Sequence, residues 1–526
     1  MIIKDLKNKI NFSAAFKFAA VLFLAVFMTS CSKKIDVKGK LTNANPLDRV
    51  EFIESSGVAT LPLVNLGVDK NGNFEGSFDA PKNGMYVITY GGKQGMIYLK
   101  GGEKVDITGD ATQFPTNYAV TGAAKNNNDF IKNSQMFLDT YASKLSMQEI
   151  IMKPEPAFLA EVKKINDELT KNIDENAKKY NADNDAVQWK KDELTTSILG
   201  LLSQYKVNHG QSIQNPSFKV SKSFTDYQNS FKENNDRLVE NHPQYRNYLL
   251  STMTEEFQKY SAAHNKTGAL STSQIFSDLL KEKKDLSQTT KDYLLAYVIA
   301  QSDLNVSATK ESIAKVNKII DSDIKNETIK KDLKQIEFVI SGLKEGDTLP
   351  KSDLIKADGS KYSLSDLKGK PTLVMFYASW NPRISDSTLP VLKEVVNFYK
   401  SKVNFVYVNL DDTKDQFVKT SEAMLKGLPG TNAYAEGGVN SDFAKNYGLY
   451  GFKLPGFLIL DKDGKIVGHY YVNLGDPEIV SGLNKVSGLK APEMAPQNPQ
   501  QMMPGMQQAP AQAQQQAPQV EKKPSK

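Results

Sequence analysis

Apolar and polar residues alternate in short runs through the first quarter of the chain. Tyr86, Ile88 and Tyr90 share one face of an extended segment, and Val105 and Ile107 share one face of another. That period of two is the spacing of a half-buried strand. Strands are predicted over Ile35–Leu41, Arg49–Ser55, Leu61–Asp69, Asn73–Asp79, Met85–Tyr90, Met96–Leu99 and Lys104–Thr108. Asn71-Gly72, Asn83-Gly84, Gly91-Gly92 and Gly101-Gly102 punctuate them as turns. Seven short strands so spaced predict an all-β sandwich or barrel over residues 31–124. Over residues 125–341 the period changes to that of a helix. Leu194, Ile198, Leu201, Leu202 and Tyr205 form one stripe; Ile313, Val316, Ile320 and Ile324 form another; Ile329, Leu333, Ile336 and Ile340 form a third. Polar faces separate the stripes, so a bundle-like helical region is expected. Over residues 342–488 the apolar runs become continuous, at 372–377, 403–410 and 457–460, and alternate with helical segments. This is an α/β pattern. Residues 489–526 are rich in Pro, Gln, Ala and Met with few large apolar side chains. Such a tail buries too little to offset chain entropy and is expected to be disordered.

Charge changes this picture only at the N-terminus. The chain carries a net charge of +6, and Lys4, Lys7, Lys9, Lys17 and Asp5 account for +3 of it. The remainder is too weakly basic to predict a nucleic-acid partner. The lysines precede an apolar run, Phe18–Met28, and then small residues. This is the layout of a signal peptide over residues 1–30, and the run is shorter than the about 20 residues of a spanning helix. Cys31 follows directly and is the only cysteine of the chain. Met28-Thr29-Ser30-Cys31 resembles a bacterial lipobox. The resemblance implies that Cys31 becomes the acylated first residue of a lipoprotein, tethered to a membrane by its lipid. The other reading is an ordinary signal with an incidental cysteine. Ser32, not Asp, follows Cys31, and Lys33 and Lys34 do not resemble an acidic surface-export stretch. Both point to the outer membrane, facing the periplasm, over the inner membrane or the cell surface.

Candidate chemistry elsewhere is thin. His209, His242 and His264 lack ligand spacing and are expected at the surface or satisfied in the core. Phe224, Tyr227 and Phe231 are expected in the core. Met502, Met503 and Met506 suit a soft metal or simply a flexible tail. Asp411 and Asp412 follow a strand end, where α/β folds often place function and where loop acids are also common. His469 is expected on a strand face. No phosphate loop or dinucleotide fingerprint is present. No metal or cofactor is expected.

The most telling stretch is Leu373-Val-Met-Phe-Tyr-Ala-Ser-Trp-Asn-Pro-Arg-Ile384, an apolar strand running into a Trp and a helix start. Before it lie Gly346-Asp-Thr-Leu-Pro350 and Leu364…Gly369-Lys370; after it lie Leu454-Pro455 and the turn Asp461-Lys-Asp-Gly464. With these motifs residues 342–488 resemble the envelope-facing TlpA-like branch of the thioredoxin superfamily. The region around Val37-Lys-Gly-Lys-Leu41, Asp69–Phe74 and Tyr98–Ile107 resembles an uncharacterised β domain that often precedes such domains in Gram-negative lipoproteins. The thioredoxin resemblance implies a Cys-x-x-Cys after Trp380, a buried acid in the preceding strand and a cis-proline loop at Leu454-Pro455. Here the two thiol positions hold Asn381 and Ile384, and Met375 stands at the acid position. Ile384 to Pro390 is also one residue longer than the family pattern. Thiol chemistry needs an attacking thiolate and a resolving thiol, which these side chains do not supply.

Two readings of the substituted site follow. Asn is a favoured N-cap and Pro a favoured first helical residue, so Asn381-Pro382 preserves a helix start. Alternatively Trp380, Asn381, Pro382, Arg383, Ile384, Leu454 and Pro455 keep a slot for a peptide or an anion. The expected function is a membrane-anchored, redox-inactive thioredoxin-like lipoprotein that binds an envelope protein or peptide. The alternatives are a thiol-disulfide oxidoreductase or peroxidase-related enzyme, and a structural spacer.

Overall fold

A computed structural model describes residues 34–491, apart from 216, 232–234, 266–269 and 306–307. The signal segment, Cys31 and the methionines of the tail lie outside the described residues. The chain divides into two compact units, Met1–Ile340 and Ser341–Lys526.

The first unit opens with a β-sandwich. Its strands are β1 (Lys34–Thr42), β2 (Arg49–Glu54), β3 (Pro62–Gly67), β4 (Asn73–Asp79), β5 (Gly84–Tyr90), β6 (Lys93–Leu99), β7 (Lys104–Asp110) and β8 (Tyr118–Gly122). One sheet has the order β4-β1-β7-β8 and the other β3-β2-β5-β6. Alternate side chains point between the sheets, where Phe52 of β2 stacks on Phe78 of β4 at 5.3 Å. Seven strands answer to the predicted segments. The eighth, β8, was not predicted, because only Val120 of its five residues is buried and the alternation is too short to register.

Helices follow without a break in packing: α1 (Lys125–Ala142), α2 (Met147–Met152), α3 (Glu155–Tyr180), α4 (Asn184–Ser212), α5 (Lys222–Asn229), α6 (Asn235–Asn241), α7 (Pro243–His264), α8 (Thr272–Glu282), α9 (Gln288–Val298), α10 (Lys310–Asp323) and α11 (Glu327–Ser341). The outer face of β5 and β6 is covered by them, since Met85 and Tyr98 share a core with Phe130 and Phe158. At edge strand β6, Asn128 of α1 accepts from Tyr98 N and donates to Tyr98 O, both at 2.8 Å. A side chain thereby satisfies backbone groups that an uncovered edge would leave open. Farther along, Arg246 is 2% exposed. Its Nη2 donates to Ser56 O at 2.6 Å and its Nε to Val239 O at 2.6 Å, which ties the β2–β3 loop to the helices.

The second unit is a seven-stranded mixed sheet of order β10-β9-β13-β12-β11-β14-β15. Its strands are β9 (Leu354–Ile355), β10 (Lys361–Tyr362), β11 (Thr372–Tyr377), β12 (Asn404–Asn409), β13 (Thr431–Tyr434), β14 (Gly456–Leu460) and β15 (Ile466–Tyr471). Helices α12 (Leu389–Tyr399), α13 (Lys414–Met424), α14 (Asp442–Asn446) and α15 (Pro477–Ser487) accompany it. Central strand β11 is buried at every position, which is why its sequence is a continuous apolar run. It pairs in parallel with β12 and antiparallel with β14. The end of β11, the end of β12 and the start of β14 therefore meet at one edge of the sheet.

Candidate functional site

That edge carries the residues singled out above. Tyr377 ends β11, and Ala378–Asn381 form the turn that follows it. The turn is held by Asp411, which is fully buried just past β12. One Asp411 carboxylate oxygen accepts from Ser379 N at 2.6 Å. The other accepts from Asn409 Nδ2 at 2.9 Å and Thr420 Oγ1 at 3.0 Å. Both oxygens of this buried side chain thus have partners, as buried polar groups require. Asp411 is therefore a positioning residue for the turn, not an exposed acid.

Asn381 uses all of its polar groups locally. Its N donates to Ala378 O at 3.1 Å, its O accepts from Ile384 N at 3.1 Å and its Oδ1 accepts from Arg383 N at 3.0 Å. The Oδ1 contact closes an Asx turn ahead of the helix; the cap position itself falls on Arg383, which has no side-chain cap bond, so the expected Asn381-Pro382 cap is displaced by two residues. Its Nδ2 crosses to the cis-proline loop and donates to Leu454 O at 2.7 Å. The peptide Leu454-Pro455 is cis, as the resemblance implies. Arg383 Nη2 donates to the same Leu454 O and to Phe452 O at 3.3 Å. Between them, Lys453 O accepts from Tyr470 Oη at 3.0 Å. Leu454 N is also taken, by Gly451 O at 3.2 Å. Three successive carbonyls before Pro455 are thus occupied by side chains of the same chain.

The loop is packed as tightly as it is bonded. Leu454, Pro455 and Ile384 are buried, whereas Pro382, Arg383 and Phe452 are exposed. A Cβ on Gly456 would lie 1.6 Å from Tyr470 Oη, so only glycine lets the tyrosine reach beneath the loop. Lys453 Nζ lies over the Tyr470 ring, 4.5 Å from its centroid. Burial lowers the Lys453 ammonium to about 8 and pushes the Tyr470 phenol well above its ordinary range.

After Arg383 the helix starts as a π-turn over Ile384–Thr388, with Leu389 N donating to Ile384 O five residues back. A π-turn uses one more residue per hydrogen-bonded turn than an α-helix. It absorbs the extra residue noted between Ile384 and Pro390, and α12 continues in ordinary register.

The geometry narrows the expected slot. An extended peptide would pair with the backbone of Leu454, but both its N–H and its C=O are engaged. Arg383 N and Ile384 N, which an anion at the helix start would use, already donate to Asn381. What faces outward is a rim: Pro382, the aliphatic part of Arg383, the half-buried Trp380 and the exposed Phe452, which stacks on Tyr450 at 5.6 Å.

The other candidates separate from this site. His469 lies on β15, exposed, with Nε2 3.2 Å from Glu478. His209 Nδ1 contacts Ile151 O at 2.7 Å and its ring stacks on Tyr205. His264 stacks on Tyr260. His242 is buried against Trp189, and its Nε2 has no hydrogen-bond partner among the described residues. It departs from the expectation of a satisfied core histidine. Phe224 is buried, and Tyr227 and Phe231 pack beside it. Sequence reasoning missed the roles of Asp411 and Tyr470; the only signal was an acid after a strand and an aromatic in the closing one.

Residues 344–486 match the Redoxin family model. The chain is 35% identical over 75 residues to the chloroplastic thioredoxin-like protein HCF164 of Oryza sativa subsp. japonica, a stretch covering 14% of this chain and 28% of that protein. It is 29% identical over 126 residues to the thiol-disulfide oxidoreductase ResA of Bacillus thuringiensis subsp. konkukian, covering 23% of this chain and 66% of the relative. The chain thus spans less than two thirds of either relative. A solved thiol-disulfide oxidoreductase from Bacteroides fragilis aligns at 23% identity with a TM-score of 0.21, covering 23% of this chain and 88% of its own. The chain therefore ends in a Redoxin-type, thioredoxin-like domain similar to thiol-disulfide oxidoreductases, preceded by a sheet-rich region and a helical one.

Proposed function

We propose that this chain is a lipid-anchored envelope protein, attached through Cys31 and facing the periplasm from the outer membrane. Its thioredoxin-like domain binds a protein or peptide partner without thiol chemistry. One observation carries the reading: Asn381 stands where the attacking thiol is implied, and its amide is bonded to Leu454 O. A side chain that cannot form a thiolate, locked to the loop that would receive substrate, suits docking and not exchange. The docking face is the rim of Trp380, Pro382, Arg383 and Phe452. Aromatic and arginine side chains are the types that dominate binding energy at interfaces.

The name of the ResA relative, thiol-disulfide oxidoreductase, is compatible with a second reading in which the domain takes part in disulfide exchange with an external thiol. Insulin-disulfide reduction by the chain from Ser32 onward separates the two. No turnover above a protein-free control is expected, and turnover above it would overturn the binding reading. A photo-crosslinker at position 452 in intact envelopes tests the rim directly. It should enrich a partner relative to the same crosslinker at exposed Lys402, and equal yields would remove the rim from consideration.

A further inference from the structure

Helices α1, α3 and α4 pass one another around an apolar cavity of about 170 Å³ in the first unit. Leu138, Tyr141, Leu169, Ile173, Leu194 and Ile198 are among the apolar residues that line it. Close-packed interiors keep few voids larger than a water molecule, and apolar cavities of similar size take small apolar molecules in preference to water. One side of the wall is charged. Lys190 Nζ donates to Gln135 Oε1 at 2.7 Å and pairs with Glu193. The lysine side chain is 4% exposed and the glutamate 29%, so the cation is the inner member and the carboxylate the one that reaches water. The cavity meets the surface near the α1–α2 corner, where Met147 lines it and is 40% exposed. Phe137, 38% exposed, stacks on the lining residue Tyr141. Exposed methionine and phenylalanine beside an apolar opening mark a binding surface.

We propose that this cavity binds a single-chain anionic amphiphile, a free fatty acid. Its carboxylate takes the place of Glu193 on Lys190, and its chain runs along the Leu169–Ile198 wall toward Met147. The occupant follows from charge and polarity together. The buried ammonium matches an anionic head, and the remaining wall is mainly aliphatic, with Ser134 and Asn172 of the lining already bonded to Asn176. A peptide side chain entering by the same route would bring backbone N–H and C=O groups against an apolar mouth. A bilayer surface would meet Phe137 and Met147 without reaching Lys190.

The test uses the chain from Ser32 onward, titrated calorimetrically with fatty acids below their micellar concentrations. Dodecanoate is expected to bind at one saturable site, and binding should tighten by about fourfold per methylene from octanoate to decanoate. Dodecyltrimethylammonium should bind about tenfold more weakly or worse, and Lys190→Gln should erase that preference. Ile173→Trp fills the cavity and should lower dodecanoate affinity by about tenfold or more. Leu138→Trp, at a half-buried wall position, blocks it with less risk to folding, and circular dichroism checks both. The proposal is overturned if folded wild-type chain shows no saturable dodecanoate binding, or if the folded tryptophan variants bind as wild type. Equal binding of both head groups would overturn it too. So would sedimentation with phosphatidylglycerol vesicles in the absence of fatty-acid binding, which would assign the corner to a membrane.

Discussion

At the scale of single residues, the C-terminal site shows how one substitution reassigns its neighbours. Asn381 closes an Asx turn just before the helix, two residues short of the cap position that Asn-Pro suggests, and its link to Leu454 spans 73 positions and leaves no local trace. Asp411 is the sharper case. An acid after a strand is unremarkable in sequence, yet its carboxylate carries Ser379 N, Asn409 Nδ2 and Thr420 Oγ1 in a fully buried setting. Asp411→Ala strands those donors and should cost about 3 kcal/mol of stability in the second unit. Urea unfolding followed by the fluorescence of Trp380 in a Trp189→Phe background measures it, and a loss below about 0.5 kcal/mol would mean water replaces the carboxylate. Tyr470→Phe removes one neutral hydrogen bond, to Lys453 O, and should cost about 1 kcal/mol in the same measurement.

At the scale of elements, what could be read from the sequence depended on whether burial was one-sided. Strands β1 to β7 alternate and were legible; β8 exposes nearly everything and was not. Helices α10 and α11 bury one stripe each and were placed by their isoleucines. Helix α4 was harder, since Lys190, Asp192 and Thr196 are buried along with its leucines, and no sequence rule puts charges in a core. Asp192 accepts from Arg237 Nε at 2.6 Å and Nη2 at 2.8 Å. His242, where α6 meets α7, lies nearby and faces Lys82, Arg246 and Arg237 as well as Asp192. Burial, aided by those cations, lowers its imidazolium to about 4. The unfolded state therefore binds the extra proton between about pH 6.5 and 4. The contribution of His242 is full above that window and falls by about 3 kcal/mol as the pH drops through it. His242→Phe keeps the stacking on Trp189 and removes the titration. The stability difference between wild type and variant should fall across that window in denaturant melts. Asp332, whose carboxyl burial raises to about 6, has the opposite slope but is common to both chains. A difference that stays flat would mean that His242 binds its proton as readily in the fold as in the unfolded chain.

At the scale of the whole molecule, the proposed anchor sets the geometry. Only Ser32 and Lys33 separate Cys31 from Lys34, the first residue of β1, and three residue steps span about 10 Å at most. A lipidated Cys31 would hold the sandwich close against the membrane instead of letting it range on a linker. Radiolabelled palmitate should enter the wild-type chain and not Cys31→Ala; equal labelling would end the lipoprotein reading. The occupied carbonyls before Pro455 bear on which partners such a tethered body meets. An open row of backbone acceptors is indiscriminate, because any extended chain with free N–H groups satisfies it. Under the proposed binding role, a domain that has closed the row on itself is expected to discriminate against denatured polypeptides. An excess of reduced, alkylated casein should therefore leave the crosslink from position 452 undiminished, whereas competition would mean that the row opens in solution.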